Sequence, residues 1–163
     1  YYGRELYYHQ RYDEAIKMLS KFLDGGLGWI ENNIDACYMM AQIYRVLGQF
    51  DEALKVLLRS LQYDRPRAEI SCELGRYFLQ RSQYAAAVFW YETALAATPS
   101  AGGFTLRDCY GYIPSIQLCI CYDRMGDIEK ANEYNERAGM YKPNSEAYLS
   151  NRQYFADKMK SME

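Results

Sequence analysis

Apolar residues recur along this chain at spacings of three and four, the period of a helix that buries a single stripe, and short polar or glycine-bearing breaks interrupt the runs. The pattern predicts helices over residues 1–9, 12–23, 33–47, 50–63, 67–81, 84–96, 109–125 and 128–140. A ninth, roughly 145–158, follows Asn144 and Ser145 as its cap, with a face of Ala147, Tyr148, Asn151 and Tyr154 and charges elsewhere. Four phrases in this pattern are versions of one another: Tyr12-Asp13-Glu14-Ala15, Phe50-Asp51-Glu52-Ala53, Tyr84-Ala85-Ala86-Ala87 and Ile128-Glu129-Lys130-Ala131. Their alanines lie about 38, 34 and 44 residues apart, and self-similarity near 34 residues is the signature of stacked helix–turn–helix units.

Superposing the units extends the match. Small or apolar residues precede each alanine at a fixed distance: Tyr2 and Gly3, Met40 and Ala41, Leu74 and Gly75, Leu118 and Cys119. Nine residues before it stand Leu6, Tyr44, Phe78 and Tyr122, and five before it Gln10, Gly48, Ser82 and Gly126. The last set marks the turn between two helices, where Gly48 and Gly126 suit a left-handed helix end. Pro66, Pro99 and Pro143 close the second, third and fourth units. Small residues at fixed points let antiparallel helices approach closely, so these positions read as architecture.

The pattern resembles the tetratricopeptide repeat (TPR), whose marks are small residues in both helices, an aromatic near the first helix's end and a closing proline. Unit three carries it in Leu74, Gly75, Phe78, Tyr84, Ala87, Ala94 and Pro99, and unit four in Leu118, Tyr122, Gly126, Asp127, Ala131, Ala138 and Pro143. The expected fold is all-α: a TPR-like right-handed α-solenoid of about four units (1–32, 33–66, 67–108, 109–143) with a capping helix in 144–163, forming one repeat domain. Unit one lacks the start of its first helix and its closing proline, so the chain is expected to be a piece of a longer protein. In such arrays the first helices line the inner surface. The register assigns that lining to Arg4, Tyr7, Tyr8, Tyr38, Gln42, Arg45, Arg76, Ile120 and Asp123. Three arginines from successive units would suit a carboxylate or phosphate, against the alternative of solvated charge. They do not reproduce the Lys/Asn set of the TPR proteins that bind chaperone tails.

Two joints break the period. In Asp24-Gly25-Gly26-Leu27-Gly28-Trp29-Ile30-Glu31, three glycines beside a tryptophan would cradle a ligand, or Trp29 would fold back as a plug under the loop. The plug is the expectation. A phosphate loop is not expected, because there is no Lys-Ser/Thr pair and no preceding strand. The second break, Thr98 to Asp108, adds about ten residues. It either covers a face of the array and meets a neighbouring domain or is a tolerated surface insertion. Its candidate contacts are Phe104, Arg107, Tyr110 and Tyr112, with Pro114 in the first turn of the next helix.

Composition narrows the function. A net charge of −2 argues against nucleic acid, which needs a basic stripe. No run approaches a membrane span, and the first residues read as amphipathic helix rather than signal peptide. Five irregularly spaced cysteines fit buried thiols in a reducing cytoplasm. Cys119 and Cys121, two apart on a helix, make a poor metal clip. His9 is the only histidine and cannot supply a triad. The acidic pairs Asp13-Glu14 and Asp51-Glu52 begin second helices, where they complement the dipole. The expectation is no cofactor, no metal and no catalysis by these residues. The 18 tyrosines supply large contact area at low entropy cost, which suits a protein or peptide partner, although half-buried packing accounts for most of them.

Further phrases carry a narrower likeness: Gly3-Arg4-Glu5-Leu6-Tyr7-Tyr8-His9, Arg67-Ala68-Glu69, Phe89-Trp90-Tyr91-Glu92-Thr93-Ala94-Leu95, the run from Tyr110 to Tyr122, Asn135-Glu136 and Asn151-Arg152-Gln153-Tyr154-Phe155. They resemble the C-terminal helical part of bacterial family-2 glycosyltransferases. That resemblance implies an upstream α/β domain holding the donor-binding Asp-x-Asp and the catalytic base. This chain would then be a non-catalytic tail that dimerises the enzyme, contacts its catalytic domain or presents a protein or peptide acceptor. A free-standing peptide-binding adaptor is the alternative.

Overall fold

The computed structural model describes residues 11–99 and 104–163. Among them it shows eight α-helices, one 3-10 turn and no strand. The helices are α1 (Tyr12–Gly25), α2 (Ile30–Val46), α3 (Phe50–Ser60), α4 (Ala68–Gln80), α5 (Tyr84–Ala96), α6 (Tyr112–Arg124), α7 (Ile128–Tyr141) and α8 (Glu146–Ser161), with the 3-10 turn over Arg107–Tyr110. The chain is thus an all-α, TPR-like helical repeat. The expected helix 1–9, with Arg4, Tyr7 and Tyr8, lies outside the described residues.

The described residues form two compact units, residues 11–65 with Phe104 and residues 66–99 with 105–163. In unit 1, α1 packs on α2 and α2 on α3; in unit 2, each of α4 to α8 packs on the next. The small repeat positions lie at these crossings. Ala41, Ala53, Ala87, Ala94, Ala131 and Ala138 are all buried. Gly75 and Gly139 do more than stay small, since the ring of Tyr91 lies against Gly75 and that of Tyr148 against Gly139, where any Cβ would collide.

The three described turns within repeat units share one geometry. Gly48, Ser82 and Gly126 all have positive φ, at 74°, 57° and 85°. In each turn the following N–H reaches the carbonyl of the repeat aromatic: Gln49 to Tyr44 (2.8 Å), Gln83 to Phe78 (2.9 Å) and Asp127 to Tyr122 (2.9 Å). This is the Schellman closure, which satisfies carbonyls orphaned at a helix end. Ser82 holds the conformation without glycine's freedom. Asp127 and Ser145 cap α7 and α8 through Lys130 N–H (3.1 Å) and Tyr148 N–H (3.2 Å).

Three expectations need correction. Helix 109–125 is broken at Gly111 into the 3-10 turn and α6, because Gly111 is buried beneath the ring of Tyr141. The buried face of α8 is Tyr148 and Phe155, whereas Ala147 and Tyr154 are exposed. Asn135 sets that face. It is fully buried where other units carry an apolar residue, donates to the Tyr148 carbonyl (3.1 Å) and accepts from Asn151 (3.2 Å). Finally, α2 begins at Ile30 rather than 33, and Trp29 is its extended N-cap residue, exposed instead of folded under the loop. The room beneath Gly28 is already taken by Phe22 and Asn33.

All five cysteines are buried free thiols. Burial raises Cys37 and Cys121 to about 11 and Cys119 to about 12. Contact with Cys109 and burial raise Cys72. Burial also raises the phenols of Tyr91, Tyr110 and Tyr122, helped at Tyr110 and Tyr122 by hydrogen bonds to Glu69 and Glu92. The folded state therefore holds these protons more tightly than the unfolded chain. Their stabilisation is complete below the unfolded thiol value of about 8.5 and falls as pH rises past it and past the phenol value near 10. Helicity followed by circular dichroism should be constant from pH 7 to 8 and collapse in the alkaline range, with native thiols unreactive to a disulfide reagent at pH 8.

Candidate protein-binding groove

The sequence places an apolar residue at nearly every turn of α2, on more than one face. Ile34, Cys37, Met40 and Ala41 face the core. Asp35, Tyr38, Met39, Gln42, Ile43 and Val46 follow one another at spacings of three and four and form a second stripe. With Tyr12 of α1 and Phe104, they line a groove of about 450 Å³ in unit 1. Met39, Val46 and Phe104 remain about half exposed there, an unusual state for large apolar side chains beside a ready-made hollow.

The groove's walls are mostly apolar, with Asp35 and Gln42 as polar members. The Tyr38 and Phe104 rings meet at 5.8 Å between centroids, tilted by 44°. Asp35 lies one turn before Tyr38, and the Arg45 guanidinium donates to Gln42 Oε1. An apolar hollow of this size holds a large apolar side chain.

Of the expected inner-surface residues, the structure brings Tyr38 and Gln42 into this groove, with Arg45 bonded alongside, and adds the loop residue Phe104. Trp29 is nine residues before Tyr38, roughly 13 Å along α2, and lies outside the groove. The other expected residues are in unit 2. Arg76 is exposed and pairs with Glu73 (3.6 Å), Asp123 accepts from Tyr154 (3.2 Å), Ile120 is half-buried and Arg107 is exposed. Tyr110 and Tyr112 are engaged internally. The Tyr110 hydroxyl donates to the buried carboxylate of Glu69 (2.8 Å), which also accepts from Leu106 N–H (2.8 Å). The Tyr112 hydroxyl meets the α8 cap Ser145, and Lys142 lies over its ring (4.7 Å) while bonding Asp108 (2.6 Å).

Sequence reasoning missed Tyr12, Asp35, Met39, Ile43 and Val46 as groove residues. Their spacing from Tyr38 would have found them, but apolar residues on two faces of α2 make periodicity alone ambiguous. It also missed Glu69, since nothing in Arg67-Ala68-Glu69 indicates a carboxylate that anchors a segment some 37–41 residues away.

Comparison with known proteins agrees with this architecture. The tetratricopeptide repeat family matches residues 38–102, from the groove helix through the third unit. Solved structures with the same fold include one described as "MamA RS-1 ArsTM double mutant", with a TM-score of 0.73 and 19% identity over 97% of this chain and 81% of that one. A "Crystal structure of MamA" follows with a TM-score of 0.67 and 20% identity over 98% and 95%. A "Crystal structure of MamA protein" gives 0.68 and 23% over 97% and 84%. At these identities the likeness establishes the fold alone. No curated protein sequence matches the chain.

Proposed function

We propose that this chain is a protein-interaction module whose α2 groove receives a peptide segment of a partner, with a large apolar or aromatic side chain as its anchor. The observation that carries this is the paired placement of Tyr38 and Phe104 over an apolar hollow lined by Met39 and Val46. A side chain entering it trades water for aromatic and aliphatic walls. The repeat context supports the reading, because the groove lies on a first helix, the helix that lines the inner surface in TPR arrays.

The test uses an array of ten-residue peptides carrying a central Trp, Phe, Leu or Lys. Peptides with apolar anchors should bind and those with Lys should not. Val46→Asp, at an exposed position, should weaken the bound peptides at least about tenfold, the loss of roughly one buried aliphatic contact. Equal binding of all four peptide classes, or none, would overturn the reading.

The finer identity we propose is the C-terminal tail of a bacterial family-2 glycosyltransferase acting in the cytoplasm, with residues 1–163 as one repeat domain and partners drawn from its own catalytic domain, a second copy or an acceptor protein. It rests on the sequence phrases alone. An upstream α/β domain with Asp-x-Asp in the parent reading frame is expected. Further repeats alone would sink it in favour of a free-standing adaptor.

A further inference from the structure

A second surface of unit 1 has a different character. Where the groove is concave, the joint between α1 and α2 projects, and it exposes apolar side chains almost fully. Leu27 is 93% exposed, Trp29 78% and Met18 73%, with Ile30 and Phe22 nearer half. They form one patch. Met18 and Phe22 are one turn apart on the outer side of α1, and the Phe22 ring lies against Gly28 of the loop. The same helical position as Phe22 is small and buried in the other units, as Ser60, Ala94 and Ala138. Only unit one places a large ring there and turns it outward.

The tip is held in shape. Gly26 takes a left-handed conformation (φ 68°) and donates to the Leu23 carbonyl (3.2 Å), and Asn33 donates to the Gly28 carbonyl (3.2 Å). Beside the apolar stripe on α1 run Lys17 and Lys21, one turn apart, neither with an ion-pair partner among the described residues. Of the acids nearby, Glu14 pairs with Arg11 (3.7 Å) and Asp24 with Arg59 (3.0 Å), while Asp13 lies one turn before Lys17 and Glu31 follows Ile30.

We propose that this corner, the loop 26–30 with Met18, Phe22, Lys17 and Lys21, docks on an anionic phospholipid bilayer. A tip bearing Trp, Leu and Ile beside lysines matches the two layers it would meet. The apolar side chains enter the boundary of headgroups and acyl chains, where tryptophan's amphipathic ring is favoured, and the ammonium groups stay among the phosphates. A protein partner would need a cavity shaped to the projecting Trp29, whereas a bilayer accepts a projection of any outline. No described helix is long and apolar enough to cross a membrane, so the contact is with the surface.

The experiment mixes the chain with sedimentable vesicles of phosphatidylcholine, alone or with about one third phosphatidylserine. The wild type should sediment with the anionic vesicles. In a Trp90→Phe background, Trp29 emission should shift to the blue on binding. The double variant Leu27→Ser/Trp29→Ser, at exposed positions, should keep its helicity and lose at least about tenfold in partitioning. Lys17→Glu/Lys21→Glu should weaken binding to anionic vesicles and leave neutral ones unaffected. The proposal fails if the wild type ignores both vesicles, or if the loop variant binds as the wild type does. It fails in favour of a second copy of this chain if vesicles are ignored while self-association in ultracentrifugation depends on Leu27 and Trp29. The loop variant should bind the apolar-anchor peptides normally, which separates this result from failure of the groove reading.

Discussion

Replacing Tyr91 by alanine is expected to cost unit 2 about 3–5 kcal/mol, measured by urea unfolding, the range for emptying an aromatic site in a closed core. Tyr91 is 2% exposed and belongs to the cluster that joins Ala68, Cys72, Leu118 and Tyr122. Its ring is flat against Gly75, so three ring atoms would lie 2.8–2.9 Å from any Cβ placed there. Gly75→Ala therefore weighs two effects. Helix propensity favours alanine by about 1 kcal/mol, while overpacking against an immobile ring costs about 1–3. The ring wins, and the single change should destabilise. In the Tyr91→Ala background the clash is gone, so Gly75→Ala should become neutral or stabilising, a coupling that a double-mutant cycle reads directly. Tyr91→Phe, which conserves volume, should stay within about 1 kcal/mol of the wild type. A Tyr91→Ala loss below that level would show the core can close without the ring.

Glu69→Ala is expected to cost about 2–4 kcal/mol, because one buried carboxylate satisfies two donors that remain after it is removed. Leu106 N–H and the Tyr110 hydroxyl both end on it, and together they bring the chain after the long insertion back onto α4. The amide of Leu106 should then exchange with solvent far faster, while those of α7 and α8 hardly change. Glu69→Gln keeps an acceptor and should recover most of the loss. Unchanged exchange at Leu106 would mean that the segment is held by its apolar contacts instead.

Most of the fold is legible in the sequence because the repeat writes the same packing problem several times. Small residues fall at each helix crossing, and Gly48 and Gly126 sit where the backbone turns left-handed. The comparison also explains Ser82, whose positive φ follows from its place in the repeat although its residue type gives no hint of it. The errors have local causes. Trp29 reads as a plug because large apolar residues are usually buried, but Phe22 and Asn33 already fill the space it would need. The face of α8 is misread because Asn135, a polar residue in an apolar column, selects Tyr148 and Asn151 by hydrogen bonds that no hydrophobic pattern shows. The candidate site is less legible than the fold. Tyr38, Gln42 and Phe104 can be named in advance, but the repeat register assigns no role to Met39 and Val46.

By itself the sequence determined the helices, their turns and the small residues that let them touch, since each depends on neighbours within a turn or on a spacing that recurs. Tertiary structure alone decided which large apolar residues stay in contact with water. Whether Met39, Val46 and Trp29 are covered depends on what occupies the volume beside them: Tyr12 and Phe104 at the groove, Phe22 and Asn33 at the loop. That difference separates the interior of this repeat from the two surfaces proposed to meet other molecules.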